Sequence, residues 1–244
     1  MASCNDYTVG WVCTLPIEVA AAKATLDRVY NNSPLNRNLD DNNSYVLGSL
    51  QGHNAVIAYP DTRACGKTSV ADVTKQLHAS YTSIQLNLMV GIARGVPDTK
   101  EDIRLGDVVV SKSTAGAPGV AQYDVDGGKR TEDWYIGSRG LDLPTPLLLT
   151  AMGKAETAAI FDESKMSQYI SEIVQKDPVT FARPGPEQDT RLEPNYDHTT
   201  VESEGSGYSH CDPDRVRSQQ HREAQGPVVH YGLIASSPPL SDAP

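Results

Sequence analysis

Apolar positions fall into two rhythms along this chain, and the switches between them set out its elements. Tyr7 to Cys13 (YTVGWVC) is β-rich and nearly all apolar, the pattern of a strand covered on both faces. A helix is predicted next, with Thr14 or Leu15 as cap and Pro16 in its first turn, where a missing N–H costs nothing. Its apolar positions run through Ile17, Val19, the alanines 20 to 22, Leu26 and Val29. The polar stretch 31–43 reads as a loop. Ser44 to Leu50 and Asn54 to Tyr59, joined at Gln51, Gly52 and His53, read as a hairpin. Ser69 with Asp72 resembles a capping box, and Val70, Val73 and Leu77 follow at helical spacing, which predicts a helix over 69–80. Ile84 to Val90 is a candidate buried strand that Gly91 to Gly95 punctuates, and Asp107 to Ser111 (DVVVS) is a further strand. Strands and helices interleave throughout, so the fold class is α/β, a mixed central sheet flanked by helices. Any functional crevice is expected at the carboxyl ends of its strands.

Beyond Lys112 the chain is rich in Gly, Ser and Asp until Thr145-Pro146 opens a helix through Leu147, Leu148, Ala151 and Ala155. Met166, Tyr169, Ile170, Ile173 and Val174 form one apolar stripe of another helix, and both helices are expected to pack on the sheet. Residues 183–227 hold seven apolar side chains in 45, too few for a core of their own, and read as an excursion. Val228 to Ala235 then reads as one more core strand. The domain is therefore placed at 5–236, followed by an irregular tail over 237–244. An α/β domain normally finishes with a helix that covers the sheet, so this ending reads as a domain whose C-terminal part is missing.

Composition changes the picture in three places. The hydrophobic fraction of 39% lies below the globular range, but that range also counts glycine and the 19 glycines close most of the gap; the excursion is the polar ballast that remains. The formal net charge of −10 disfavours a nucleic-acid backbone or an anionic membrane surface as partner. No apolar run approaches the ~20 residues of a spanning helix, and the first residues carry neither a basic n-region nor an apolar h-region. A soluble, cytoplasmic protein is the expectation. Cys4, Cys13, Cys65 and Cys211 are scattered without paired spacing, which indicates neither a disulfide framework nor a zinc site.

Three motifs invite chemistry. Cys65-Gly66-Lys67-Thr68 ends like a phosphate-binding loop, but Asp61 stands where the first glycine of GxxxxGK[ST] is needed, so a tight turn before a helix is the reading. Asp197, His198, His210, Cys211 and Asp212 are metal-ligand types without metal-site spacing, and no metal is expected. Glu18 lies in the first turn of the helix that follows the first strand, close to where a crevice opens. There a carboxylate either serves acid/base work or complements the helix dipole.

Taken in order, YTVGWVCTLPIEVAAAKATLD at 7–27, CGKTSVADV at 65–73, LMVGIARGVP at 88–97, DIRLGDVVVSK at 102–112, AQYD at 121–124 and VVHYGLIAS at 228–236 resemble the nucleoside phosphorylase superfamily. The closer likeness is to the fungal nucleoside-phosphorylase-like domain often found at the head of large proteins with NTPase and repeat domains. The resemblance implies cleavage of the N-glycosidic bond of a purine nucleoside or nucleotide by phosphate or water, with no cofactor beyond phosphate as co-substrate. It makes Glu18 the catalytic glutamate beside the attacking water, and Gly91, Ile92, Ala93 and Arg94 the turn that lines the ribose. Homo-oligomers are usual in that superfamily.

Departures from the pattern refine these expectations. Ile92 stands where a serine or threonine is common, and Met89 where hexameric phosphorylases carry an arginine, which weakens phosphate binding and tilts activity toward hydrolysis. Arg94 stands where relatives commonly have glycine. The pattern is left at Ser237, before the segments that in the family supply a ribose-binding glutamate and the aspartate that protonates the purine. Loss of a general acid alone costs roughly 10² to 10⁴-fold. Two functions of different class follow: nucleoside cleavage, or a catalytically silent module for ligand sensing or interaction.

Overall fold

The computed structural model describes residues 3–31, 40–60, 70–95, 102–113, 119–122, 144–161, 164–183 and 226–236, with single positions 185, 215 and 222. A short 3-10 turn at Cys4–Asp6, closed by Ser3 and Asp6, leads into β1 (Val9–Val12). Then come α1 (Pro16–Thr25), β2 (Arg28–Tyr30), β3 (Ser44–Leu50), β4 (His53–Tyr59), α2 (Val70–Ser80) and β5 (Leu86–Met89). These five strands form a mixed sheet in the order β2-β3-β4-β1-β5. β2, β3 and β4 are antiparallel neighbours, whereas β1 runs parallel to both β4 and β5.

The near-continuous apolar runs of β1 and β4 follow from their central places, which are covered on both faces. Successive side chains alternate between two cores. Val12, Val56 and Ala58 join Val73 and Leu77 of α2, together with Tyr7 and Tyr81. Trp11, Cys13, Ala55 and Ile57 face Ala22 of α1 and Leu26. Fully burying a side chain such as Ile57 contributes about 1.5–3 kcal/mol. The β3–β4 turn is a two-residue one. Gln51 at φ 47° and Gly52 at φ 82° are both left-handed, which matches the right-handed twist of a hairpin and suits glycine at the second position.

The first helix is shorter than its periodicity predicts. It ends at Thr25, and Val29 lies in strand β2, because Leu26 turns extended and the Asp27 amide donates to the Ser49 carbonyl. Cross-strand pairing outcompetes helix propagation for a β-branched residue flanked by Arg28 and Tyr30. The Ser69 cap, Cys65 to Thr68, and the candidate ligands Asp197, His198, His210, Cys211 and Asp212 lie outside the described residues.

The rest of the chain supplies β6 (Val108–Ser111), β7 (Val120–Gln122), α3 (Pro146–Ile160), α4 (Met166–Lys176), α5 (Pro178–Phe181), β8 (Val229–Gly232) and β9 (Ile234–Ser236). The strand expected over Val228 to Ala235 is thus two, broken at Leu233. There the chain changes partner, from β6 to β7, both in parallel register. Neither α3 nor α4 buries a residue, contrary to the expected packing on the sheet. In α3 Leu147, Leu148 and Leu149 run consecutively around the helix and so dedicate no single face to a core. A Lys112–Glu156 ion pair joins α3 to the end of β6. On α4 Met166, Ile170, Ile173 and Val174 are half-buried and Tyr169 is exposed, and Lys176 Nζ donates to the Ala24 carbonyl of α1 at 2.5 Å. Among the described residues no helix is long and apolar enough to cross a membrane.

Candidate functional site

The site begins with a helix that lacks an ordinary cap. Leu15 is the N-cap of α1, and its side chain offers no oxygen to the free amides of the first turn. Glu18, three residues on, turns back from inside the helix to the amides that precede it. Its Oε2 receives the Thr14 amide at 2.8 Å, the Leu15 amide at 2.9 Å and the Thr14 hydroxyl at 3.1 Å. Its Oε1 receives the Ile92 amide at 2.8 Å, from the turn after β5. The carboxylate therefore ties together the carboxyl ends of two adjacent parallel strands, where the α/β arrangement predicts a crevice.

Gly91 belongs to the same contact for a steric reason. A Cβ there would lie 2.8 Å from Glu18 Oε1, so a residue without a side chain is what lets the turn close on the carboxylate. Ile92 is 70% exposed, and Ala93 and Arg94 continue the exposed turn. The structure thus brings Glu18 to Gly91 and Ile92. Among the described residues the hydrogen-bond partners of Glu18 are Thr14, Leu15 and Ile92, and Ala93 and Arg94 do not join them.

The electrostatics follow from this donor set. Burial pushes the Glu18 carboxyl up, but the amides of Ile92, Leu15 and Thr14 and the Thr14 hydroxyl outweigh it, leaving the group below the usual carboxylate range. Glu18 is ionised at neutral pH although the residue is only 8% exposed. Cys13, buried at the end of β1, moves the other way: burial first and the Glu18 charge second push its thiol up to about 11. It is a packed thiol and a poor nucleophile at neutral pH.

A second buried carboxylate was not singled out in the sequence. Asp107, whose side chain is fully buried at the start of β6, accepts the amides of Arg104 and Val228 at 3.0 Å each. It also accepts Arg222 Nη1 on both oxygens at 2.9 Å and His230 Nε2 at 3.0 Å. Arg222 reaches onward to the Asp102 carbonyl, and Arg104 pairs with the Asp102 carboxylate at 2.7 Å. Burial raises the Asp107 carboxyl, but Val228, His230, Arg104 and Arg222 together lower it to about 2. The signal available in the sequence was an aspartate opening an otherwise apolar strand. Apart from the Arg104 amide, its partners Arg222, Val228 and His230 lie more than a hundred residues away, Arg222 in the excursion.

Elsewhere a cavity of about 400 Å³ beside α2 is lined by Asp40, Asp41, Asp72, Lys75, Gln76 and Ala79. Asp41 there holds the Tyr45 hydroxyl, the Asn43 amide and the Ser80 hydroxyl, so its carboxylate fixes the loop. Among the described residues no group of three or more His, Cys, Asp or Glu is placed to hold a metal ion.

Comparison with known proteins gives one point of reference. A nucleotide-binding leucine-rich repeat (NLR)-like protein of Hyaloscypha variabilis is 33% identical over 234 residues, which is 95% of this chain and 22% of that protein. The chain spans about a fifth of the length of the curated relative it matches. No family model and no solved structure matches it.

Proposed function

We propose that the crevice at the carboxyl ends of β1 and β5 takes a purine nucleoside or nucleotide, and that its N-glycosidic bond is cleaved there. The observation that carries this reading is Glu18, a buried carboxylate kept ionised at the junction of two parallel strands and bonded to the turn after β5. Breaking an N-glycosidic bond passes through a ribose with oxocarbenium character. A fixed negative charge beside that sugar stabilises the transition state more than the ground state. With its proton affinity lowered, Glu18 acts by orienting an attacking water or a sugar hydroxyl and by its charge. Ile92 and Met89 bring no cation to the site, which weighs for water over phosphate as nucleophile, whereas the exposed Arg94 is the cation that the turn itself carries. The resemblance noted in the sequence supports the same chemistry.

The nucleotide-binding name of the relative belongs to that whole protein. For this chain, a nucleoside or nucleotide as ligand rests on the geometry of Glu18 and on the resemblance. The test is release of free base from adenosine, guanosine and their monophosphates by purified protein, with and without phosphate, compared with Glu18→Ala. Base release that disappears in the variant supports the reading, and none from the unaltered chain overturns it.

A second reading is favoured by the donor set of Glu18, most of whose acceptor positions are taken by the amides of Thr14, Leu15 and Ile92 and the Thr14 hydroxyl. In that case the crevice binds a nucleoside without turning it over. Calorimetric binding of a nucleoside that survives incubation unchanged supports this alternative.

A further inference from the structure

The two oxygens of Glu18 are used unequally. Oε2 carries three donors, two backbone amides and the Thr14 hydroxyl, whereas Oε1 carries the Ile92 amide. A carboxylate offers about four acceptor directions over its two oxygens, so Oε2 is filled and Oε1 keeps one. The amides of residues 14 and 15 point at Glu18 because the chain turns there, whatever their side chains are. The hydroxyl is the one donor on Oε2 that depends on residue identity. It adds a fourth contact to the three backbone amides that hold the carboxylate, and it falls on the oxygen facing the β1–α1 turn. On the other side, the absence of a Cβ at Gly91, where one would lie 2.8 Å from Oε1, keeps side-chain atoms of that residue off this oxygen.

We propose that Thr14 is a positioning residue: its hydroxyl commits Glu18 Oε2 to the β1–α1 turn and so leaves Oε1 aimed over Gly91, to accept a hydroxyl group or water of the ligand. The proposal rests on the reading of Glu18 as the working carboxylate of the crevice. Thr14 does not touch the ligand, and its effect passes through Glu18. The hydroxyl hydrogen bond is also one of the contacts that keep Glu18 ionised, so removing it raises the pH at which Glu18 titrates.

The experiment compares the intact chain with Thr14→Val, which keeps the shape and the amide, Thr14→Ser, which keeps the hydroxyl, and Thr14→Ala. The Glu18 carboxyl is followed by side-chain carbon NMR against pH, and base release from adenosine is followed over the same range. In Thr14→Val and Thr14→Ala the Glu18 midpoint moves up and the acid limb of base release moves with it, while Thr14→Ser returns both to the original positions. A Glu18 midpoint unmoved by loss of the hydroxyl, or a serine variant that fails to restore it, overturns the proposal. If Thr14→Val does not fold, Thr14→Ala and Thr14→Ser decide the matter by the same titration. If no protein releases base while the NMR midpoints shift as stated, the cleavage reading falls, and the positioning role stands where calorimetric binding of adenosine weakens in Thr14→Val and recovers in Thr14→Ser; binding equal in all variants, or absent, overturns it.

Discussion

The Ile92 amide donates to Glu18 Oε1 at 2.8 Å across 74 positions of sequence. That bond joins the first turn of α1 to the turn after β5 and closes the ends of β1 and β5 into one rim. Because the acceptor is an ion, the contact belongs to the stronger class of hydrogen bonds.

Glu18→Gln keeps the shape of the side chain but sets an NH₂ against a backbone N–H that needs an acceptor. A loss of about 1–3 kcal/mol at pH 7 is expected, read by urea denaturation. The folded carboxyl lies below its unfolded value, so its stabilisation is complete above the unfolded value of about 4.3 and is lost as pH falls through the lower folded value. The gap between variant and original therefore narrows in acid. A gap that stays constant from neutral pH into acid would show that the ionised form is not what matters.

Gly91→Ala drives a Cβ to 2.8 Å from Oε1 of a carboxylate already held by four donors. Something must give, at about 1–3 kcal/mol. The cost should fall sharply when Glu18 is already alanine, so the double variant is more stable than the sum of the two single losses. Strict additivity in that cycle would refute the contact.

Asp107→Asn leaves Arg222 and His230 facing a neutral amide in a buried place, and a loss of about 3–5 kcal/mol is expected. The contribution of Asp107 is complete above its unfolded value of about 3.9. It drains away as pH falls toward about 2, where the folded group takes up its proton. Hydrogen exchange of the β8 amides should accelerate in the variant. A change below about 0.5 kcal/mol, the size of an ordinary surface substitution, would contradict the buried role.

Gln51→Asn acts on the turn and shortens the side chain whose amide nitrogen lies 3.5 Å from Asp27 Oδ1. Gln51 holds a left-handed φ of 47°, and asparagine tolerates that region better. Its backbone N–H continues to donate to Asp27. A gain of about 0.5–1 kcal/mol is expected from denaturant midpoints, within the range of turn optimisations; a loss would mean that the Gln51 side chain contributes more than its backbone.

Local pattern was enough to read those elements whose cause is local. β1, the β3–β4 hairpin and the stripe of α4 follow from periodicity and turn chemistry. So does the place of Glu18 in the first turn of a helix after a strand. What local pattern could not show was which long-range partner wins. Val29 carried on the helical rhythm, yet β3 claimed it. Val228 to Ala235 looked like one strand because both halves are apolar, and the break at Leu233 is set by which neighbour each half pairs with. At the site, the sequence left Glu18 between acid/base work and helix complement. The geometry adds the bond to Ile92, which no spacing rule encodes. Asp107 escaped notice because its meaning lies in Arg222 and His230.

The clasp around Asp107 spans the long middle of the chain: Asp102 to Ser111 on one side, Arg222 to Gly232 on the other. A polypeptide nicked by a protease anywhere between Lys112 and Arg222 would still carry the means of holding its two fragments together, so a band shift on a denaturing gel need not announce separation in solution.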